Sequence, residues 1–163
     1  MSIGQVLGGF SVDSPREVHI ALIRPEELSF WWKDAIPWLE RGAQYWSEYY
    51  DLADLYVEVF RGTMQLWFVG EDEAPFGCML TELRKYPRCM VFRFLYAGGD
   101  DNQVDKLTPG SAWHEWMIQW AKARGATHSE IKGRRAWEKV LAGEGYEFHG
   151  VFLRKSLEKV WSN

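Results

Sequence analysis

The stretch that decides the fold runs from residue 64 to residue 96 and reads MQLWFVGEDEAPFGCMLTELRKYPRCMVFRFLY. Apolar and aromatic residues recur in it with a period of two, which is the spacing of strands that place one face on a core. Two short polar connections, GEDEAPFG and KYPR, interrupt the pattern. Connections this short join neighbouring antiparallel strands. The stretch therefore predicts an antiparallel meander with strands at 64–69, 78–84 and 89–96.

The chain after the meander predicts a helix packed on the sheet. Between residues 109 and 123, four large apolar residues recur at helical spacing, and Gly125 stands where a left-handed cap ends a helix. We expect His114, off this stripe, at the surface. The stripe, expected to be buried, consists of Trp113, Trp116, Met117 and Trp120. Beyond it we expect a strand at 128–131, a helix at 134–141, and closing segments at 146–149 and 151–154.

The chain before the meander predicts a strand followed by short helices. Residues 18–24 are rich in β-branched and aliphatic residues, and Pro25 then begins a helix. We expect Pro37 to interrupt this helix. The expected helices are therefore 28–34, 38–45 and 51–61, the last capped by Gly62. The whole pattern is an α/β fold with a mostly antiparallel sheet and the order β-α-α-βββ-α-β-α-β(β).

Size and charge limit the function classes. The 163 residues predict one domain, 1–163, with residues 1–17 as an N-terminal extension. A net charge of −4 offers no basic field for nucleic acid or anionic lipid, so neither partner is expected. Cys78 and Cys89 have no His or Cys at metal-ligand spacing, so no metal is expected. No signal peptide or membrane-spanning run is recognised, and we expect a cytoplasmic protein.

The order of elements resembles the GNAT superfamily of acyl-CoA-dependent N-acyltransferases over most of the chain. The C-terminal sequence GRRAWEKVLAGEGYEFHGVFLRKSL is similar to that family's closing segment, in which a helix ends at a Gly-aromatic pair, here Gly145-Tyr146. The segments MQLWFV and GRRAWEKVL also resemble phage-encoded members. The resemblance implies a GNAT-like fold and, if the gene is carried by a phage, a place in the host cytoplasm or the virion.

The resemblance also implies a site for acetyl-CoA. In the family, the pantetheine arm lies where the fourth and fifth strands diverge, and the diphosphate binds at the start of the next helix, where backbone N–H groups favour anions. The resemblance implies that the cofactor-binding residues here are Leu95, Tyr96, Gly98, Gly99, Gly110 and Ser111. On residue type alone, Gly98 and Gly99 would end a strand and permit a turn.

This sequence departs from the family pattern at two places. The glycine-rich phosphate loop is absent, and Asp100, Asp101 and Asp105 stand near its position. Leu141 occupies the place of the tyrosine that often serves as general acid. The resemblance then leaves Glu82 as the candidate catalytic base, because residues 89–96 contain no carboxylate. On strand alternation alone, Glu82 would be an outward residue that faces solvent.

Two functions are compatible with these observations. One is an acyl-CoA-dependent N-acyltransferase. The other is a catalytically silent GNAT-fold protein that serves as a binding or virion-assembly component. Its expected contact surface is the aromatic N-terminal third, because Trp and Tyr anchor protein interfaces. The tryptophans of that surface are Trp31, Trp32, Trp38 and Trp46.

Overall fold

The computed structural model describes residues 18–71, 74–103, 112–133 and 137–158. It forms a five-stranded sheet in the order β1-β2-β3-β4-β5, with β1 to β4 antiparallel and β5 parallel to β4. The mixed α/β, mostly antiparallel fold expected from the sequence is confirmed. Its strands are β1 Val18–Leu22, β2 Met64–Glu71, β3 Ala74–Lys85, β4 Met90–Gly99 and β5 His128–Ile131. Its helices, preceded by a 3₁₀ turn at Pro25–Glu27, are α1 Leu28–Arg41, α2 Ala43–Trp46, α3 Leu52–Arg61, α4 Ala112–Ala123 and α5 Trp137–Ala142.

The sheet carries a separate core on each face. Face A, covered by α1 and α3, buries Leu28, Leu39 and Leu55 against Phe68 and other sheet residues. Face B, covered by α4, is built around Trp67, Phe92, Trp113 and Met117. Trp113 is 1% exposed, and Trp116 and Trp120 lie half-buried with their rings edge-on to Trp67. The helical stripe predicted for α4 therefore does pack on the sheet.

Helix α1 continues through Pro37, so the expected break there is wrong. Proline removes one main-chain hydrogen bond to the carbonyl four residues earlier, that of Lys33. Lys33 and Pro37 are both exposed, so this side of the helix faces solvent, where water can replace a missing hydrogen bond. Burial of the opposite side of α1, including Trp31 and Trp38, holds the helix together until Gly42.

Helix α3 ends as the sequence predicts. Asp51 and Asp54 form a capping box at its start, and Gly62 adopts the left-handed conformation at its end, with φ of 81°.

The C-terminal segments at 146–149 and 151–154 are not strands in the structure, contrary to expectation. Residues 146–158 run outside the sheet, and several of their apolar side chains are exposed. The outer edge of β5 has no strand beside it among the described residues.

Candidate functional site

The candidate site is an opening between β4 and β5. The two strands pair only from Val91↔His128 to Phe94↔Ile131, and β4 then continues for five residues beside β3 alone. A register shift lies at the point of separation: Leu80 pairs with Tyr96 and Thr81 with Phe94, so Leu95 is an extra residue in β4. A bulge of this kind bends a strand and increases its twist. It turns the second half of β4 away from β5.

The open edge of β4 presents the peptide group of Ala97. The Asp100 N–H donates to the Phe76 carbonyl at 2.8 Å, and this bond flanks the pair Gly77↔Gly99. Gly77↔Gly99 is therefore a non-hydrogen-bonded pair, in which the N–H and C=O groups of each residue point away from the other strand. Peptide groups alternate along a strand. Ala97, two residues earlier, therefore directs both its N–H and its C=O away from β3 and into the opening.

The C-terminal end of α1 is locked onto this half of β4. The Tyr96 hydroxyl donates to the Trp38 carbonyl at 2.6 Å. Two glycines make this approach possible: a Cβ on Gly42 would lie 1.8 Å from the Tyr96 ring, and one on Gly98 would lie 2.0 Å from the Tyr96 hydroxyl oxygen. Burial raises the pKa of Tyr96, which keeps its hydroxyl protonated as a donor.

Acidic side chains at the end of β4 are held by α1. The Trp38 indole N–H donates to Asp100 Oδ1 at 2.9 Å. Arg41 donates from Nη1 to the Gly99 carbonyl at 2.5 Å and lies 3.3 Å from Asp101, whose side chain is 95% exposed. Of the carboxylates expected to repel a diphosphate, Asp100 is thus hydrogen-bonded to α1 and Asp101 faces solvent beside Arg41. Asp105 lies outside the described residues.

The structure locates four of the six residues expected at acetyl-CoA. Leu95 is the bulge residue and Tyr96 supports α1. Gly99 is the last residue of β4, as expected for a strand end, and Gly98 is the residue before it. Gly98 is needed for the Tyr96 contact and not for a turn. Ala97 is the residue that the sequence reasoning missed, although strand alternation next to Gly98 pointed to it. The remaining two, Gly110 and Ser111, lie outside the described residues.

Glu82 lies on face A, one residue pair from the bulge, in a row of charges across three strands. Arg93 Nη1 is 3.4 Å from Glu82 Oε1, and Arg93 Nε is 2.9 Å from Glu130 Oε2. Glu82 is half-buried, with 20% of its side chain exposed, and not the solvent-facing residue that alternation alone indicated. The charge of Glu82 contributes to a raised pKa of Tyr50, which is mainly due to burial. Glu82 therefore belongs to a polar group beneath the opening.

A second polar cluster on face B joins α4, β5 and the turn after α5. The Tyr146 hydroxyl is 3.0 Å from His114 Nε2 and 2.7 Å from Ser129 Oγ, and the His114 ring packs against Phe94. The expectation of a surface position for His114 is wrong, since it is 3% exposed. Burial lowers its pKa. Gly145, with φ of 84°, makes the turn that brings Tyr146 inward.

The aromatic N-terminal third is partly core. Trp31 and Trp38 are 7% and 6% exposed, and Trp32 and Trp46 are half-buried against face A. The exposed aromatic side chains of this region are instead Phe30, Tyr45, Tyr49 and Phe60.

The described part of the chain lacks two kinds of feature. Over those residues, no group of three or more His, Cys, Asp or Glu side chains is placed to hold a metal ion. Within the same ranges, no helix is both long and apolar enough to cross a membrane.

Comparisons with known proteins identify the fold. No family model and no curated protein sequence matches the chain. An aminoglycoside acetyltransferase from an uncultured soil metagenomic sample, solved with sisomicin, is similar at a TM-score of 0.65 and 11% identity, over 86% of this chain and 97% of that one. The ribosomal-protein-alanine N-acetyltransferase of Brucella melitensis gives a TM-score of 0.59 and 13% identity, over 88% and 99%. An aminoglycoside N-acetyltransferase in complex with CoA gives 0.54 and 14%, over 88% and 98%. The chain thus has the fold of the GNAT acetyltransferases.

Proposed function

We propose that the protein is an N-acyltransferase that transfers an acyl group from acetyl-CoA to an amine. The observation that carries this proposal is the opening between β4 and β5, into which the Ala97 peptide group points. Support comes from the structural neighbours, which are N-acetyltransferases, one of them solved with CoA.

The described residues fit a pantetheine arm. Such an arm carries amide groups, which pair with an open strand edge as an added strand does. Ala97 offers one donor and one acceptor for this pairing, and Leu95, 37% exposed, adds an apolar contact at the bulge. Tyr96, Gly98 and Gly99 hold the edge in place beneath α1. The role of Gly110 and Ser111 at the diphosphate stays a prediction.

Acyl transfer also requires proton movement. A bond forms between the acyl carbon and the amine nitrogen, the bond to the thioester sulfur breaks, the amine loses a proton and the sulfur gains one. Glu82 is the carboxylate we assign as base, directly or through one water molecule. General-base catalysis contributes about 10²–10⁴-fold to rate.

The base assignment has a matched control in this chain. Glu82 and Glu130 both pair with Arg93, on opposite sides of it. Glu82→Gln is expected to lower kcat about 100-fold or more, whereas Glu130→Gln breaks the same kind of ion pair and leaves kcat nearly unchanged. Equal effects of the two substitutions would remove Glu82 from the mechanism and leave water as the base.

Acetyl-CoA binding is tested by thermal unfolding. A ligand that binds only the folded state at 100 times its Kd adds about 2.7 kcal/mol to stability and raises the Tm. Ala97→Pro removes the N–H that faces the opening, a position where a strand edge tolerates proline. We expect a Tm increase for the wild type and its loss in Ala97→Pro. No increase at millimolar acetyl-CoA in the wild type would refute the function.

The exposed aromatic side chains favour a second candidate. We infer that, if acetyl-CoA does not bind, the protein is a GNAT-fold binding component whose contact surface includes Phe30, Tyr45, Tyr49 and Phe60. The role in a virion belongs to this candidate, whereas an origin in a phage is proposed for both. Both proposals rest on the sequence resemblance alone, and the cytoplasmic location rests on the sequence. Sedimentation velocity compares the wild type with a variant that carries Phe30→Ser and Phe60→Ser. Self-association of the wild type that this variant loses would support the contact surface.

A further inference from the structure

The C-terminal arm, residues 147–158, runs from the face B side of the molecule toward α2. It forms no helix or strand, and large apolar side chains along it are exposed: Phe148 by 70%, Val151 by 80%, Leu153 by 87% and Leu157 by 87%. An arm with so little buried area contributes few contacts that resist its displacement.

Two contacts attach the arm at opposite borders of the opening. Lys132, the residue after β5, places its Nζ 4.5 Å from the ring centre of Phe152. Arg154 lies over the Tyr49 ring, with its Cζ 5.0 Å from the ring centre, and forms an ion pair with Glu48. The arm thus connects the end of β5 with the turn that follows α2.

The turn after α2 belongs to the same site as β4. The rings of Tyr45, in α2, and Tyr96, in the open half of β4, lie 6.4 Å apart. Tyr49 follows Tyr45 by four residues, after a turn closed by hydrogen bonds to Trp46. Glu48 and Tyr49, which follow this contact in the chain, therefore lie on the face A side of the molecule, near the open half of β4.

A carboxylate beside an aromatic face is a receptor for an organic cation. The carboxylate attracts the charge and accepts its hydrogen bonds, and the negative face of the ring adds a cation–π contact. The guanidinium of Arg154 fills both roles at once. Its side chain is 47% exposed and that of Glu48 is 60% exposed, so water and salt weaken the attachment and another cation competes with it.

We propose that Glu48 and Tyr49 bind a cationic group of the acyl acceptor and that Arg154 of the C-terminal arm occupies this position in the free protein. The inference rests on the proposed function for the identity of the bound molecule as acceptor. An amine bound as a cation has no lone pair for attack. The acceptor class is therefore a molecule that carries a cationic group, such as an ammonium or a guanidinium, in addition to the amino group that attacks.

The arm is an intrinsic competitor under this proposal. An external cation binds only those molecules in which Arg154 has left Glu48 and Tyr49. The apparent Kd therefore equals the intrinsic Kd divided by the fraction of molecules in which this position is free. Removing Arg154 frees the receptor, whereas removing Lys155, the adjacent exposed cation, leaves it filled.

The experiment uses spermidine as the cationic probe and isothermal titration calorimetry at low salt. Arg154→Ala is expected to bind spermidine about three- to tenfold more tightly than the wild type or Lys155→Ala. Adding Glu48→Gln to Arg154→Ala is expected to weaken this binding about tenfold, while adding Glu147→Gln, within the arm, leaves it unchanged. Circular dichroism confirms that these surface variants are folded.

Acetyl-CoA titrations of the same proteins separate the two proposals. Acetyl-CoA binding without the spermidine pattern overturns the receptor and leaves the acyltransferase standing. The spermidine pattern without acetyl-CoA binding supports the receptor and overturns the acyltransferase. Equal spermidine affinity of Arg154→Ala and Lys155→Ala, or no effect of Glu48→Gln, overturns the receptor.

Discussion

The contact of Tyr96 with α1 gives a prediction whose size follows from the structure. In Gly98→Ala the new Cβ would lie 2.0 Å from the Tyr96 hydroxyl oxygen and 2.9 Å from the Trp38 carbonyl oxygen. The hydroxyl must move away and lose its 2.6 Å hydrogen bond to that carbonyl. The lost bond costs about 0.5–1.5 kcal/mol and the overpacking about 1–3 kcal/mol. We expect a loss of about 2–4 kcal/mol in the free energy of unfolding.

Urea unfolding followed by circular dichroism measures this loss. Gly133→Ala is the matched control, since its Cβ would meet its nearest neighbour, Trp137, at an ordinary 3.6 Å, and we expect a change within about 0.5 kcal/mol. Tyr96→Phe removes the clashing oxygen, so Gly98→Ala should cost less in that background than in the wild type. A loss below about 0.5 kcal/mol for Gly98→Ala alone would refute the packing of α1 on β4.

Three further predictions concern the core and its titratable groups. Trp113→Ala, at a side chain 1% exposed, should lower the free energy of unfolding in urea by about 3–5 kcal/mol, whereas Phe148→Ala, 70% exposed, should change it by less than about 0.5 kcal/mol. Burial lowers the pKa of His114, so the unfolded chain binds a proton at this residue more tightly than the folded chain does. The stability that neutral His114 contributes is therefore full above its unfolded pKa of about 6.5 and is lost as the pH falls through the lowered folded pKa. A series of unfolding curves at different pH values should show this dependence in the wild type and a flatter one in His114→Asn. Burial raises the pKa of the Cys78 thiol, so a thiol reagent should modify the half-buried Cys89 in the folded protein and reach Cys78 only after denaturation.

The meander was predictable because its strands follow a local rule. Short runs of apolar residues between polar turns marked these strands. The period of two implied one buried face, but β2 is buried over consecutive residues because the sheet has a core on each face, with Phe68 and Trp67 on opposite faces. Pro37 misled the reasoning because the burial of Trp31 and Trp38, which offsets its cost, depends on tertiary contacts.

The site was less accessible to sequence reasoning. Gly98 suggested a turn, yet its role depends on Tyr96 and Trp38, and Trp38 is sixty residues away in the chain. His114 and Tyr146 meet only when α4 and the turn at Gly145 are both in place. Such long-range contacts leave no period in the sequence.

Hydrogen exchange at Ala97 is the measurement that tests the proposed acetyl-CoA site. We expect the Ala97 amide, which faces the opening, to exchange quickly in the free protein and slowly with saturating acetyl-CoA, as followed by ¹⁵N NMR. The Gly98 amide is an internal control, since it faces β3 and should be protected in both states. Unchanged exchange at Ala97 with acetyl-CoA, or protection of Ala97 before acetyl-CoA is added, would contradict the proposed binding of the cofactor at this strand edge.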